Sequence, residues 1–224
     1  MVSYRYEEGH TDELLCSGRT VRASGKSTTG AKYFWRVAAY FVALAAVNVV
    51  AHGELGNLLA ESLPSWLATA LESAVYLVGV LALTWAFCRF LDHSSLVGLG
   101  LQKRAWLAKL AAGWGLGAAL MLLVFGILWA GGWLTVGSSP WQPLGLAAAI
   151  MSAFIVGFNE ELAFRGYIMQ RLDRAWGMPL AVAGSSILFG LVHVLNPNAT
   201  ALGVLSVCLS GLLYALAYLV ARSL

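Results

Sequence analysis

Polar and apolar positions alternate along this chain in blocks rather than residue by residue. Six blocks are apolar over roughly the length of a bilayer-crossing helix: about 33–51, 66–87, 110–133, 146–170, 179–195 and 199–221. A spanning helix needs about 20 mostly apolar residues, so the pattern predicts six crossings. The fifth block is short at its ends and the fourth contains charges. The predicted fold is all-α, a polytopic transmembrane helical bundle over 33–224. Before it, residues 1–32 form a polar tail whose run Ser24, Gly25, Ser27, Thr28, Thr29, Gly30 lacks the apolar periodicity of a core, and the tail is expected to be disordered. It does not read as a secretory signal, which would place its apolar stretch closer to Met1 and follow it with a small-residue cleavage site.

Composition points the same way. The 224 residues are 59% hydrophobic and 11% charged, against about 25% charged in an ordinary soluble domain, so lipid rather than water is the main solvent. Lys and Arg fall on alternate connections. Arg19, Arg22, Lys26, Lys32 and Arg36 precede or open the first block, Arg89, Lys103, Arg104 and Lys109 lie between the second and third, Arg171 and Arg174 between the fourth and fifth, and Arg222 at the end. The connections 52–65, 134–145 and 196–198 carry none. By the positive-inside rule, both ends face the cytoplasm and the loop around Trp133 and Trp141 faces the other side. Residues 92–106 read as an interfacial connector, with Leu96, Leu99, Leu101 and Trp106 apolar beside Lys103 and Arg104. Cys16, Cys88 and Cys208 have no metal or disulfide spacing. The net charge of +3 comes without a basic face interleaved with aromatics, so nucleic acid is excluded as a partner.

Charges inside a span cost several kcal/mol and mark functional candidates. Glu160, Glu161 and Arg165 lie in the fourth block and His193 in the fifth. The plainer alternative is that these groups only neutralise one another and hold helices together. Helical geometry divides them: Glu161 and Arg165 are four apart and share a face, while Glu160 is turned by about 100°. Glu160 is therefore the carboxylate left to face a cavity and act as a general base. Counted from Arg171, Glu160 lies about 16 Å deep; counted from Pro179, His193 lies about 21 Å deep, a difference that tilt and side-chain reach absorb. Asn196, three residues past His193, is placed to orient the imidazole or simply belongs to the Asn-Pro turn. Glu72, in the second block, either sits near the outer interface, the favoured reading, or serves the cavity. His52 and His93 fall in connections and His10 in the tail.

The string Asn159-Glu160-Glu161-Leu162-Ala163-Phe164-Arg165-Gly166 resembles the Glu-Glu-x-x-x-Arg motif of the CAAX protease and bacteriocin-processing (CPBP, or Abi) family. Phe189-Gly190-Leu191-Val192-His193 resembles the Phe-x-x-x-His motif of the same family. Their order and their separation of about thirty residues, on successive membrane helices, carry the resemblance over about 146–224. It implies an intramembrane endopeptidase in which Glu160, helped by His193, activates a water against a peptide carbonyl. Glu161 and Arg165 would organise the helix and Phe189 would pack beneath the histidine. The substrates implied are prenylated or other small peptides and membrane proteins, and the setting a bacterial plasma membrane. Zinc is the cofactor the family raises, but a zinc site wants three protein ligands plus water and Glu160 and His193 supply two.

A further family motif, His-x-x-x-Asn or His-x-x-x-Asp on a later helix, is not met before Leu224, and Arg222-Ser223-Leu224 resembles the start of the loop that introduces it. A truncated chain is expected to hydrolyse peptides poorly, and the alternative function is a non-catalytic scaffold or bacteriocin-immunity protein of the same fold. A small transporter also tolerates buried Glu and His, but the two halves of the chain show no repeat of the transporter kind. The orientation is directly testable: reporters fused after Lys32 and after Ser139 should give opposite signals, and matching signals would mean that a span is miscounted.

Overall fold

The computed structural model describes residues 25–101, 106–138, 140–196 and 198–221, and all their regular structure is helical. Most of the expected tail, Lys103, Arg104, Ser139, Pro197 and the closing Arg222-Ser223-Leu224 lie outside these residues. Helices occupy all six expected places: α1 (Gly30–Ser62), α2 (Ser65–Leu91), α3 (Leu107–Ala130), α4 (Pro143–Trp176), α5 (Met178–Val192) and α6 (Ala201–Ala221). Five are long and apolar enough to cross a membrane; α5, at 15 residues, is not, since it rises only about 22 Å against a hydrocarbon core of about 30 Å. The chain is thus a polytopic helical membrane protein.

Helix ends follow local chemistry more than hydropathy, and this accounts for three corrections. Helical backbone already begins at Gly25, inside the stretch expected as tail, because nothing in Ser27-Thr28-Thr29 breaks a helix that has begun. The first helix does not stop at Ala51 but runs through His52, Gly53 and Glu54 as a π-helical stretch, Val50–Leu55, and ends only before Pro64. His52 is therefore a helix residue, not a loop residue. Similarly α4 continues past Gln170 to Trp176 and is ended by Gly177, whose φ of +85° is a conformation that suits glycine. Pro residues open α4 and α5 at their first turns, where a missing N–H costs nothing.

The core is built around the second half of α4. Leu162, Tyr167, Ile168 and Met169 are fully covered and pack with Tyr40 and Leu44 of α1, Val80 of α2, Ala181 and Phe189 of α5 and Ala215 of α6. Tyr40 and Tyr167 stack at 4.2 Å between ring centres, and the Tyr40 hydroxyl shares a 2.8 Å hydrogen bond with Thr84 of α2. By contrast α3 is apolar apart from Lys109, with mean hydropathy 2.1, and its most apolar stretch is not buried at all. Its ties to the bundle include the stacking of Trp114 on Phe154 and a bond from Lys109 Nζ to the Ala221 carbonyl. An all-round apolar helix without protein cover is one solvated by lipid.

At the end of the bundle where α1 starts and α4 finishes, Arg171 is buried, contrary to its expected place in a loop. Its Nε donates to Asp92 Oδ2 at 3.1 Å, its Nη2 to Ser94 Oγ at 3.2 Å, and its guanidinium lies 4.4 Å over the Tyr167 ring. The other Asp92 oxygen accepts from Arg36 Nη1 at 2.6 Å. The segment 92–101 is thus not merely interfacial: the Asp92 side chain is fully covered, and Leu99 packs in the core. Removing one partner of a buried ion pair leaves an uncompensated charge and costs about 3–5 kcal/mol. Asp92→Ala, which strands two arginines, should lower the melting temperature in detergent sharply, whereas Trp114→Leu on α3 should move stability by no more than about 0.5 kcal/mol.

Candidate functional site

The strings that carry the two motifs sit where helix geometry changes. Glu160 is the last residue of the α-helical part of α4, and the next eight residues, Glu161–Ile168, are π-helical. His193 is the first residue of a 3-10 turn, His193–Leu195, that ends α5. π-bulges inside α-helices occur frequently at functional sites.

The two glutamates part as expected. Glu161 Oε1 lies 3.1 Å from Arg165 Nη1, an ion pair without the alignment of a hydrogen bond. Arg165, 1% exposed, donates from Nη2 to the Gly211 carbonyl of α6 at 3.0 Å and lies between the rings of Phe189, at 4.6 Å, and Tyr214, at 5.2 Å. The backbone approach at Gly211 is close, because a Cβ there would meet Ser186 Cα at 3.1 Å. Arg165 therefore joins α4, α5 and α6 through one side chain. Glu160 instead turns to His193, with Oε1 at 3.6 Å from Nε2.

The imidazole is held from its other side. His193 Nδ1 is 2.8 Å from the Phe189 carbonyl oxygen, which only accepts, so Nδ1 carries the proton and a neutral ring offers Nε2 as an acceptor toward Glu160. Phe189 also packs edge-on to the ring at 4.9 Å, as the resemblance implied. The Asn196 side chain does not orient the imidazole; its backbone N–H closes the turn on the His193 carbonyl at 3.1 Å. The i−4 carbonyl at the end of α5 takes Nδ1 instead.

Glu160, His193 and Asn196 line a cavity of about 510 Å³, with Val156 and Phe164 of α4 and a wall from Leu44, Asn48, Val49, His52 and Gly53 of α1 and Tyr76 of α2. That wall was not foreseen. Glu72, whose favoured place was the outer interface, bonds His52 Nδ1 through Oε1 at 2.5 Å. The signal was present in the spacing: α1 and α2 form a hairpin, and His52 and Glu72 lie ten residues either side of Ser62 (62 − 52 and 72 − 62). Among the described residues no three His, Cys, Asp or Glu side chains are grouped to hold a metal.

The cavity of this helical membrane protein is thus lined by a carboxylate and by a histidine whose Nδ1 is held by a main-chain carbonyl. Residues 140–224 match the family described as type II CAAX prenyl endopeptidase Rce1-like, and over this segment the chain is similar to that protease family. Comparisons with curated proteins and with solved structures return no match.

The division between scaffold and cavity is measurable. Arg165→Ala and Glu161→Gln should each lower the thermal stability of the purified protein, by up to about 3–5 kcal/mol. Glu160→Gln, whose partner is neither buried nor dependent on it for cover, should leave the melting temperature close to that of the parent.

Proposed function

We propose that this protein is an intramembrane endopeptidase that hydrolyses peptide bonds of prenylated or other small peptide and membrane-protein substrates by glutamate-activated water. The observation that carries this reading is the 3.6 Å approach of Glu160 and His193 on one cavity. Their separation is too long for a strong direct bond and suits a water held beside both. Such a water donates one hydrogen to the Glu160 carboxylate and the other to His193 Nε2, leaving its lone pairs directed at a carbonyl carbon. As the C–O bond forms, Glu160 takes the water's proton; as the C–N bond breaks, the departing nitrogen receives one. Hydrogen bonds in resting sites are often long and tighten only around the substrate.

Arg165 serves this chemistry indirectly. By holding Glu161 it leaves Glu160 as the carboxylate available to the cavity, and through Phe189 it supports the ring on which His193 rests. The family supports the bond type, since its members are CAAX prenyl endopeptidases by description. The charge alternation supports a cytoplasmic N-terminus.

The test is turnover of a farnesylated, fluorophore-quencher peptide by the full chain in liposomes. Glu160→Gln should abolish cleavage and His193→Ala should lower kcat by a factor of about 10²–10⁴, the range of a lost acid–base group. Cleavage that survives Glu160→Gln would overturn the assignment.

A further inference from the structure

Where α1 starts and α4 finishes, a group of cations gathers that the cavity chemistry does not use. Lys32 and Arg36 stand four residues apart on α1 and so share a helical face, while Arg174 comes from the last turn of α4. The two helix ends touch, since a Cβ at Gly30 would meet the Ala175 carbonyl oxygen at 3.4 Å. Both guanidiniums lie over the ring of Tyr33, that of Arg36 at 5.5 Å and that of Arg174 at 5.8 Å from its centre. Tyr33 thus brings charge from two helices to one point.

The group is short of acid. The carboxylate that reaches it, Asp92, is shared between Arg36 and the buried Arg171, so one negative charge answers two positive ones. Lys32 and Arg174 are exposed, and among the described residues no ion pair engages either of them. Asp173 precedes Arg174 on the helix but is turned from it by about 100°.

Two plainer accounts each cover a part. A basic residue in the last turn of a helix offsets the helix dipole, which explains Arg174 alone. The positive-inside rule places Lys and Arg at this end of the bundle, but does not draw them together. Neither explains why like charges from different helices converge on one aromatic ring, an arrangement that an anion between them would stabilise.

Depth indicates which anion. Phe34 packs on Trp176 at 5.6 Å between ring centres, and Trp35 and Trp176 keep 69% and 47% exposure. Tryptophans at helix ends mark the level of the lipid headgroups. The cations therefore stand where lipid phosphates stand, with apolar rings beside them for the acyl chains.

We propose that Lys32, Tyr33, Arg36 and Arg174 form a binding site for the phosphate of an anionic phospholipid, seated between the ends of α1 and α4. Lys32 and Arg174 contact the phosphate, Arg36 adds the N–H groups that Asp92 leaves, and Tyr33 positions both guanidiniums. The bound lipid bridges α1 to the helix that carries Glu160.

The test is the binding of a short-chain fluorescent phosphatidylglycerol to the full chain in neutral detergent, with phosphatidylcholine and inorganic phosphate as the other probes. Phosphatidylglycerol should bind more tightly than either. Lys32→Ala and Arg174→Ala should each weaken it about fivefold, the share of one basic residue at an anionic surface, and the double substitution should make the two lipids equal. Arg89→Ala, which removes an exposed charge from the end of α2, should leave the affinity unchanged. A loss from Arg89→Ala as large as that from Arg174→Ala would reduce the effect to diffuse positive charge and overturn the site. Equal binding of the two lipids by the parent chain would overturn it as well, and inorganic phosphate bound as tightly as phosphatidylglycerol would replace the lipid with free phosphate.

Discussion

Lipid offers no partner to an ionised group, and the bundle is organised by how it meets that constraint on one helix. α4 carries two buried arginines six residues apart, Arg165 and Arg171, both 1% exposed. An unpaired buried charge costs several kcal/mol, so each arginine must collect partners from elements distant in sequence. Arg165 draws in α5 through Phe189 and α6 through Gly211 and Tyr214. Arg171 draws in the α2 end through Asp92 and Ser94, and Asp92 in turn holds Arg36 of α1. Four helices are thereby registered against α4 by directional bonds, which dispersion between apolar helices in lipid would not specify by itself.

This arrangement sets what remains free at the site. While Arg165 pairs with Glu161, the side chain of the neighbouring Glu160 approaches the partly exposed imidazole of His193. Buried scaffold and reactive group are thus adjacent residues with opposite requirements. The first needs full cover and fixed partners. The second needs space for water and substrate, which the cavity supplies. The change from α- to π-helix between residues 160 and 161 is where one requirement gives way to the other.

Much of this was legible in the sequence because charges in apolar runs are rare and therefore informative. The pairing of Glu161 with Arg165 followed from a four-residue spacing, and the meeting of Glu160 with His193 from depth along two helices. The remainder was hidden for identifiable reasons. Hydropathy falls at His52-Gly53-Glu54, so the first span was ended there, although helical hydrogen bonding continues to Ser62. Arg171 and Asp92 look like loop charges in sequence because their burial depends on each other, across 79 residues. Local periodicity carries no record of such a pairing. What orients His193 is not legible either, since its partner is the main-chain carbonyl of Phe189, a group that every residue has. Both buried side-chain atoms of Asn159 lack partners, and nothing in the structure explains that position.

The cavity joins the C-terminal segment of the chain to the hairpin of α1 and α2. The segment 140–224 matches a protease family, while the hairpin of α1 and α2 was readable only as apolar. Yet half the cavity wall belongs to that hairpin, and its polar members, Asn48, His52 and Tyr76, are on the inside. Polar side chains facing an interior space in a membrane protein are costly unless they meet water or a ligand. A hydrolase has an added need, because water is its second substrate and lipid excludes it. A wall that is polar on the α1 side as well as on the α4 and α5 side keeps water in the space between them. The hairpin is therefore part of the chemical environment of Glu160.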